Sequence, residues 1–122
     1  MKRFLLAAGL ALGAFGSAYA CGPADFAVKD FAVDIERCSG SRCPKLRLAG
    51  KLVNQCNAPA AARIEIQGLD SSGRPLANAE GWPASTRNLA PGEEVSFDFG
   101  PLMKFDTRLV DFKVLVVEVK SW

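Results

Sequence analysis

Histidine is absent from this 122-residue chain, and its absence removes several kinds of chemistry. Histidine is the usual general base near neutral pH, so neither a Ser-His-Asp triad nor a Cys-His pair can form within the chain. Zinc, copper and haem sites also lose their commonest ligand. We therefore expect no catalytic residues, no metal and no cofactor, and a protein that is not an enzyme.

The chain also has little net charge and a single tyrosine, Tyr19. It has 15 basic and 13 acidic residues, and Lys2 and Arg3 account for the whole excess. Residues 21–122 therefore carry no net charge and no tyrosine. Nucleic-acid binding needs a concentrated basic face, so we expect no nucleic-acid partner and no attraction to an anionic membrane surface.

The longest apolar run, residues 4–15, lies directly behind the two basic residues at the start of the chain. A basic start, about a dozen apolar residues and a small-x-small ending are typical of a secretory signal peptide. Here the ending is Ala18-Tyr19-Ala20. A transmembrane anchor is the alternative, but it needs about 20 apolar residues. We predict that residues 1–20 are removed and that residues 21–122 form one domain, periplasmic or secreted.

Cleavage after Ala20 would leave Cys21 as the first residue of the exported chain. A cysteine at that position is typical of bacterial lipoproteins, which usually have a leucine three residues before it. Ala18 stands there instead, and the bulky Tyr19 suits an ordinary small-x-small site better. We expect a soluble product with no membrane span, and a lipid anchor on Cys21 is the alternative.

The chain has four cysteines, and an even number in an exported chain is typical of disulfides. They are Cys21, Cys38, Cys43 and Cys56, and they allow three pairings. Four residues including Gly40 separate Cys38 from Cys43, a spacing that favours local closure and would leave Cys21 to pair with Cys56. Redox or metal chemistry is the alternative, but the chain has no Cys-x-x-Cys and no histidine to complete a thiolate site.

From residue 26 onward, apolar and polar residues alternate with a period of two, which predicts strands. The predicted segments are 31–35, 46–52, 64–69, 75–79, 95–99 and 110–116. Turn signals separate them, including Asp70-Ser71-Ser72-Gly73 and Ala90-Pro91-Gly92-Glu93. Seven scattered prolines argue against any long helix, and only a helical turn near 102–108 remains possible. The pattern predicts an all-β sandwich or barrel.

Three segments carry a resemblance to a known family: Leu48–Asn54, Ile64–Gly73 and Leu89–Phe97. They resemble a bacterial immunoglobulin-like domain of the FxLyD type, and the likeness covers about residues 31–119. The naming motif of the family falls on residues 66–70, where Asp70 is the position that matches well. The resemblance implies an immunoglobulin-like antiparallel β-sandwich of about seven strands. It implies no activity, since fold alone does not determine function.

Two positions are candidate binding residues. Trp82 lies between predicted strands, where a tryptophan is either a binding anchor or a cap on the core. Arg87, together with Arg63 and Arg74, would form an anion site, or each would lie on a solvated strand face. The adjacent Glu93 and Glu94 would point to opposite faces of a strand, which makes them poor partners for acid–base catalysis.

These observations predict an exported, non-catalytic envelope protein that acts as an immunoglobulin-like module and contacts another envelope protein. The alternative is a small secreted binding protein or enzyme inhibitor that uses a loop near Trp82 or near Cys38–Cys43. An assembly module is expected to expose an unpaired apolar edge strand. A loop inhibitor is expected to expose a rigid tip closed by a disulfide.

Overall fold

The computed structural model describes residues 20–41 and 43–122. The predicted signal peptide lies almost entirely outside the described residues, so its removal stays a prediction. The described residues form six strands: β1 Phe26–Glu36, β2 Lys45–Asn54, β3 Ala61–Leu69, β4 Pro75–Gly81, β5 Glu94–Asp98 and β6 Asp111–Lys120.

The all-β prediction is confirmed, and each predicted strand segment overlaps one of the six strands. The regions that are not strands include two single turns of 3-10 helix, Pro23–Asp25 and Gly100–Leu102. The second of these turns begins two residues before the helical turn predicted near 102–108. Among the described residues, no helix is long and apolar enough to cross a membrane.

The strands pair into two antiparallel sheets of three strands each. The first sheet has the order β1-β2-β5 and the second has the order β4-β3-β6. The middle strands, β2 and β3, are therefore each paired on both sides, and the other four strands lie at sheet edges. The resemblance implied about seven strands, and six are found in the part of the chain that the structure describes.

Both sheets contribute side chains to one core. Leu48 and Leu52 of β2 and Ile64 and Ile66 of β3 are fully buried. Each pair is spaced by an even number of residues, because alternate residues of a strand point to the same face. Burying one such side chain stabilises the fold by about 1.5–3 kcal/mol. The alternation in the sequence therefore predicted the inner face of these strands correctly.

At the start of β6 the predicted facing was wrong at one residue. Alternation over the predicted segment 110–116 places Val110 on the same face as Phe112, but Val110 lies before the strand and is 62% exposed. The backbone N–H of Val110 donates to the carbonyl of Leu69, and the preceding residue, Leu109, is buried instead. The turn into β6 thus shifts the buried position by one residue.

The predicted turn at 70–73 is confirmed. The Oδ1 atom of Asp70 accepts hydrogen bonds from the backbone N–H groups of Ser72 at 2.9 Å and Arg74 at 3.0 Å. Gly73 has φ of +83°, a left-handed conformation that favours glycine because it has no Cβ. This turn brings β4 back alongside β3.

One polar side chain, Asn54 at the end of β2, is fully buried. Its Nδ2 donates to the carbonyls of Ala58 at 3.0 Å and Leu89 at 2.8 Å, and its Oδ1 accepts from the N–H of Cys56 at 2.8 Å. Asn54 thus ties the end of β2 to the segments that contain Ala58 and Leu89.

We expect Asn54→Ala to lower the free energy of unfolding by about 2–4 kcal/mol, because it leaves the Cys56 N–H and the Ala58 carbonyl without their partner. The Leu89 carbonyl loses one of its two donors and keeps the Ala60 N–H. The exposed neighbour Gln55 supplies the control, and Gln55→Ala should cost less than about 0.5 kcal/mol. Urea unfolding of both variants measures the difference. Equal unfolding midpoints for the two variants would show that the Asn54 hydrogen bonds contribute nothing net.

Candidate interaction surfaces

The four cysteines form two disulfides, Cys21–Cys56 and Cys38–Cys43, with Cα–Cα distances of 5.9 Å and 5.3 Å. This is the pairing that the short spacing between Cys38 and Cys43 favoured. No cysteine is left with a free thiol. Disulfides form and persist in oxidising compartments, so the pairing indicates a protein that works outside the cytoplasm.

The edge strands differ in how well they are protected against pairing with another strand. A bulge between Lys29 and Ala32 interrupts β1, where Asp30 has a positive φ of 55°. The β5 strand has only 5 residues, and β4 begins with Pro75. Bulges, short length and proline are all known ways of blunting an edge.

The remaining edge strand, β6, is less protected. It has 10 residues with neither proline nor glycine. Its pairing partner is β3 alone. The 3-10 turn Pro23–Asp25 and part of β1 come close to β6, but none of the described turn or loop backbone hydrogen bonds involves residues 111–120. We call the side of β6 that faces away from β3 the β6 edge. It presents backbone donors and acceptors to a further strand.

The side chains of β6 are apolar on the inner face and mixed on the outer face. Phe112, Val114, Val116 and Val119 pack against the core but stay half-buried. On the outer face, Leu115 pairs with Glu65 of β3. The inner side chains of an edge strand remain partly open to solvent because no further strand covers them.

A bulge near the end of β6 changes which residues share a face. Val116 pairs with Ile64 and Glu118 pairs with Arg63, so Val117 has no partner of its own. Glu118 therefore lies on the outer face, where its Oε1 accepts a hydrogen bond from Arg63 Nε at 3.0 Å. Arg63 also pairs with Glu80 of β4, so one arginine links all three strands of the second sheet.

A second exposed feature is the tip between β1 and β2, which the Cys38–Cys43 disulfide closes. Residues 37–41 of this tip are all exposed. Beside it lies a groove of about 800 Å³ whose lining includes Leu46, Met103 and Phe105. The lining also includes Lys45 and Lys104, which give the groove two positive charges.

The two tryptophans lie together at one end of the second sheet. The rings of Trp82 and Trp122 meet edge to face with their centroids 5.4 Å apart. Asn88 holds Trp122 in place, since its Oδ1 accepts from the Trp122 N–H at 3.0 Å. Lys120 lies 4.3 Å above the Trp122 ring. Trp82 is half-buried in this contact and is not among the core residues, and its use as a binding anchor stays a prediction.

The three arginines do not form one anion site. Arg63 and Arg74 lie toward opposite ends of β3, and each pairs with carboxylates of its own. Arg74 is 3.9 Å from Asp70, and Arg87 Nη1 donates to Glu93 Oε2 at 2.8 Å. The sequence showed the positive charges but not their pairing. The partners of Arg63 lie on other strands, and those of Arg74 and Arg87 lie nearby in the chain.

Glu93 and Glu94 also point to separate partners. The N–H of Ala90 and the guanidinium of Arg87 lower the pKa of Glu93 below its usual value. Glu94 accepts a hydrogen bond from Lys29 Nζ at 2.9 Å, and this bond lowers the pKa of Glu94. The pair is therefore split between two ion pairs, in keeping with the alternation of a strand.

Within residues 20–41 and 43–122, no three cysteine, aspartate or glutamate side chains are grouped so that they could hold a metal ion. No protein family, curated protein or solved structure matches the chain.

The ion pairs predict how stability depends on pH. Hydrogen bonds from Arg108 lower the pKa of Asp106 to about 2, and the pKa values of Asp70, Glu93 and Glu94 are lowered as well. A lowered folded-state pKa stabilises the fold above the ordinary carboxyl pKa of about 4, and this stabilisation is lost as the pH falls toward 2.

We expect the urea midpoint to be constant between about pH 5 and 8, since the chain has no histidine, and to fall below about pH 4. Asp106→Asn should flatten part of that fall, because its amide does not titrate. Urea titrations at a series of pH values provide the measurement. A midpoint that rises on acidification would contradict the assignment.

Proposed function

We propose that this chain is an exported, non-catalytic immunoglobulin-like module, periplasmic or secreted, that joins another envelope protein through the β6 edge. The observation that carries the proposal is the long, largely apolar strand Asp111–Lys120, whose edge away from β3 is paired with no strand. A module that assembles by strand addition needs such an edge. In proteins without such a partner, edge strands are usually protected, because an open edge promotes aggregation.

The order of the strands supports an immunoglobulin-like arrangement. The orders β1-β2-β5 and β4-β3-β6 correspond to strands A-B-E and C′-C-F of that fold. In this correspondence β6 takes the place of strand F, whose outer neighbour in the complete fold is strand G. The free edge of β6 is therefore the position where a seventh strand would be added, as in the FxLyD-type domain that the sequence resembles.

An added strand would be recognised in two ways. The backbone N–H and carbonyl groups of β6 would form hydrogen bonds with any extended segment. Alternate side chains would supply specificity. The inner-face residues Phe112, Val114 and Val116 are half-buried now and would be covered by apolar side chains of the partner. Apolar burial would drive the binding and the backbone would set its direction.

A second function is favoured by one specific observation. The Cys38–Cys43 disulfide closes an exposed tip beside the groove that contains Lys45 and Lys104. A small binding protein or enzyme inhibitor would use such a constrained loop, because the constraint reduces the entropy lost on binding. The two functions use opposite kinds of surface, a strand edge and a loop tip.

Site-specific photo-cross-linking in the cells that export the protein separates them. A photoreactive residue at Lys113 samples the β6 edge, one at Ser39 samples the tip, and one at Ser96 of β5 is the control; all three positions are exposed. We expect a defined adduct at Lys113 and none at Ser96. An adduct at Ser39 alone would favour the loop inhibitor, and no adduct at either position would contradict both proposals.

A further inference from the structure

We infer that the strand added to the β6 edge is the β6 of a second copy, in an antiparallel pair with Leu115 on the two-fold axis. This inference rests on the proposed function and names its partner. An isologous pair of this kind would join the two second sheets into one continuous sheet of six strands. It needs a strand that is complementary to itself when reversed, and β6 meets that condition.

The register between β6 and β3 defines the outer face of β6. Asp111, Lys113 and Leu115 pair with Leu69, Gln67 and Glu65, which are alternate residues of β3. The bulge at Val117 removes one residue from the count, so that the next outer positions are Glu118 and Lys120, opposite Arg63 and Ala61. Leu115 is therefore the middle of five outer positions.

A two-fold axis at Leu115 brings opposite charges together on the outer face. Lys113 comes to lie opposite Glu118 of the second copy, and Asp111 comes to lie opposite Lys120 of the second copy. By symmetry each pairing occurs twice. Opposite charges that face each other across two strands stabilise the pairing, and like charges destabilise it.

The charges also exclude the neighbouring registers. A slip that places Val114 on the axis sets Asp111 opposite Glu118, and a slip that places Val116 there sets Lys113 opposite Lys120. Both slips oppose like charges. A strand edge that is complementary in one register and repulsive in the two adjacent ones has its register specified.

The inner face fits the same register. With Leu115 on the axis, Val114 lies opposite Val116 of the second copy and Phe112 lies opposite Val119. All four side chains are apolar and half-buried in the single chain, so pairing would remove further apolar surface from water. No charged side chain of β6 is placed on the inner face of this pair.

The hydrogen bond from Arg63 to Oε1 of Glu118 helps this arrangement. It holds the Glu118 carboxylate on the outer face, where Lys113 of the second copy would reach it. Sequence alternation without the bulge would have placed Glu118 on the inner face with Val116. The bulge at Val117 is therefore what makes the strand complementary to itself.

Cysteine cross-linking of the exported, oxidised protein tests the register. In Leu115→Cys the two new thiols would face each other across the axis, and mild oxidation should yield a disulfide-linked dimer on a non-reducing gel. The matched control is Lys113→Cys on the same outer face. Its two copies would lie four strand positions apart, about 13 Å, beyond the Cα separation of about 7 Å that a disulfide spans.

Sedimentation analysis of the same protein tests the association itself. We expect the wild-type protein to dimerise reversibly and Leu115→Lys, which opposes two like charges on the axis, to weaken the dimer at least about tenfold. Asn78→Lys makes the same charge change on the exposed face of β4, the other edge of the second sheet, and should leave dimerisation unchanged.

Charge reversal tests the register by the recovery of dimerisation in a double variant, which a structural defect would not produce. Asp111→Lys and Lys120→Asp should each weaken the dimer, and the double variant should restore it, because the reversed charges again face each other. Failure of the double variant to recover would overturn the register.

The outcomes also separate this inference from the proposed function. A wild-type protein that stays monomeric and a Leu115→Cys variant that does not cross-link would overturn pairing between copies. If Lys113 then photo-cross-links to a different protein in cells, the β6 edge is still an interaction surface and the proposed function stands. If it cross-links to nothing, both fail.

Discussion

Gly100→Ala is expected to destabilise the protein by more than about 3 kcal/mol, beyond the usual range for overpacking a core. Gly100 is buried between the end of β5 and the start of β2. A Cβ at this position would overlap the carbonyl oxygen of Leu46 and lie 2.6 Å from its carbonyl carbon and 2.9 Å from Arg47 Cα. Neighbouring backbone, unlike a flexible side chain, cannot turn aside.

Hydrogen bonds on either side of Gly100 hold it against β2. The Oδ1 atom of Asp98 accepts from the N–H of Gly100 at 2.9 Å and from the N–H of Leu48 at 3.0 Å. The N–H of Phe99 donates to the carbonyl of Leu48 at 3.0 Å. A backbone shift that relieved the overlap would break these hydrogen bonds, so it would itself destabilise the fold.

Urea unfolding measures this cost, with Gly22→Ala as the matched control. A Cβ at Gly22 would have its nearest neighbour, Asp25 Oδ2, at 4.0 Å, which is ordinary contact. Gly22→Ala should therefore change stability by less than about 0.5 kcal/mol. A Gly100→Ala variant as stable as this control would mean that β2 moves aside freely, against the tight pairing described here.

Loss of the Cys21–Cys56 disulfide is also expected to destabilise the protein strongly. In the chain-entropy model a cross-link restricts the unfolded chain more when it closes a longer loop. The Cys21–Cys56 bridge spans a sequence separation of 35 and the Cys38–Cys43 bridge one of 5. Removal should cost about 4 kcal/mol for the long bridge and about 2 kcal/mol for the short one.

Paired serine replacements make the comparison without creating free thiols. The double variant at Cys21 and Cys56 should unfold at a clearly lower urea concentration than the double variant at Cys38 and Cys43. The pairing of β1 with β2, which begins at Phe26 and Asn54, remains in either case, as does the hydrogen bond from the Gln55 N–H to the Asp25 carbonyl at 2.8 Å. Equal losses in the two variants would mean that loop length does not set the contribution.

The short bridge matters for function in a different way. If the tip between Cys38 and Cys43 were the binding surface, its serine variant would lose binding even though it lost less stability. If the β6 edge is the binding surface, that variant should cross-link through Lys113 as well as the wild type does. The pair of disulfide variants thus supports the photo-cross-linking experiment.

Much of the local structure could be predicted from the residues alone. The alternation around Leu48 and Ile64 predicted which side chains are buried, because one face of each strand meets the core. The turn at 70–73 and the local closure of Cys38–Cys43 depend on residues a few positions apart, and such short-range features can be read from sequence.

The candidate sites were harder to predict, because their partners are distant in the chain. Arg63 was visible as a charge, but the carboxylates that neutralise it, Glu80 and Glu118, belong to other strands. Trp82 was visible as a candidate anchor, but its contact with Trp122 brings together two residues 40 positions apart in number. A sequence shows which groups are available, and only folding decides which of them meet.

The β6 edge, on which the proposed function depends, was likewise only partly predictable from the sequence. The sequence by itself predicted a strand near residues 110–116, with Phe112, Val114 and Val116 on one face, and a chain that is all-β. Only the tertiary structure decided that this strand pairs with β3 alone and is left at an edge. It also decided that Val117 bulges and carries Glu118 to the outer face. Strand neighbours and bulges depend on hydrogen bonds between distant segments, and no local pattern of residues specifies them.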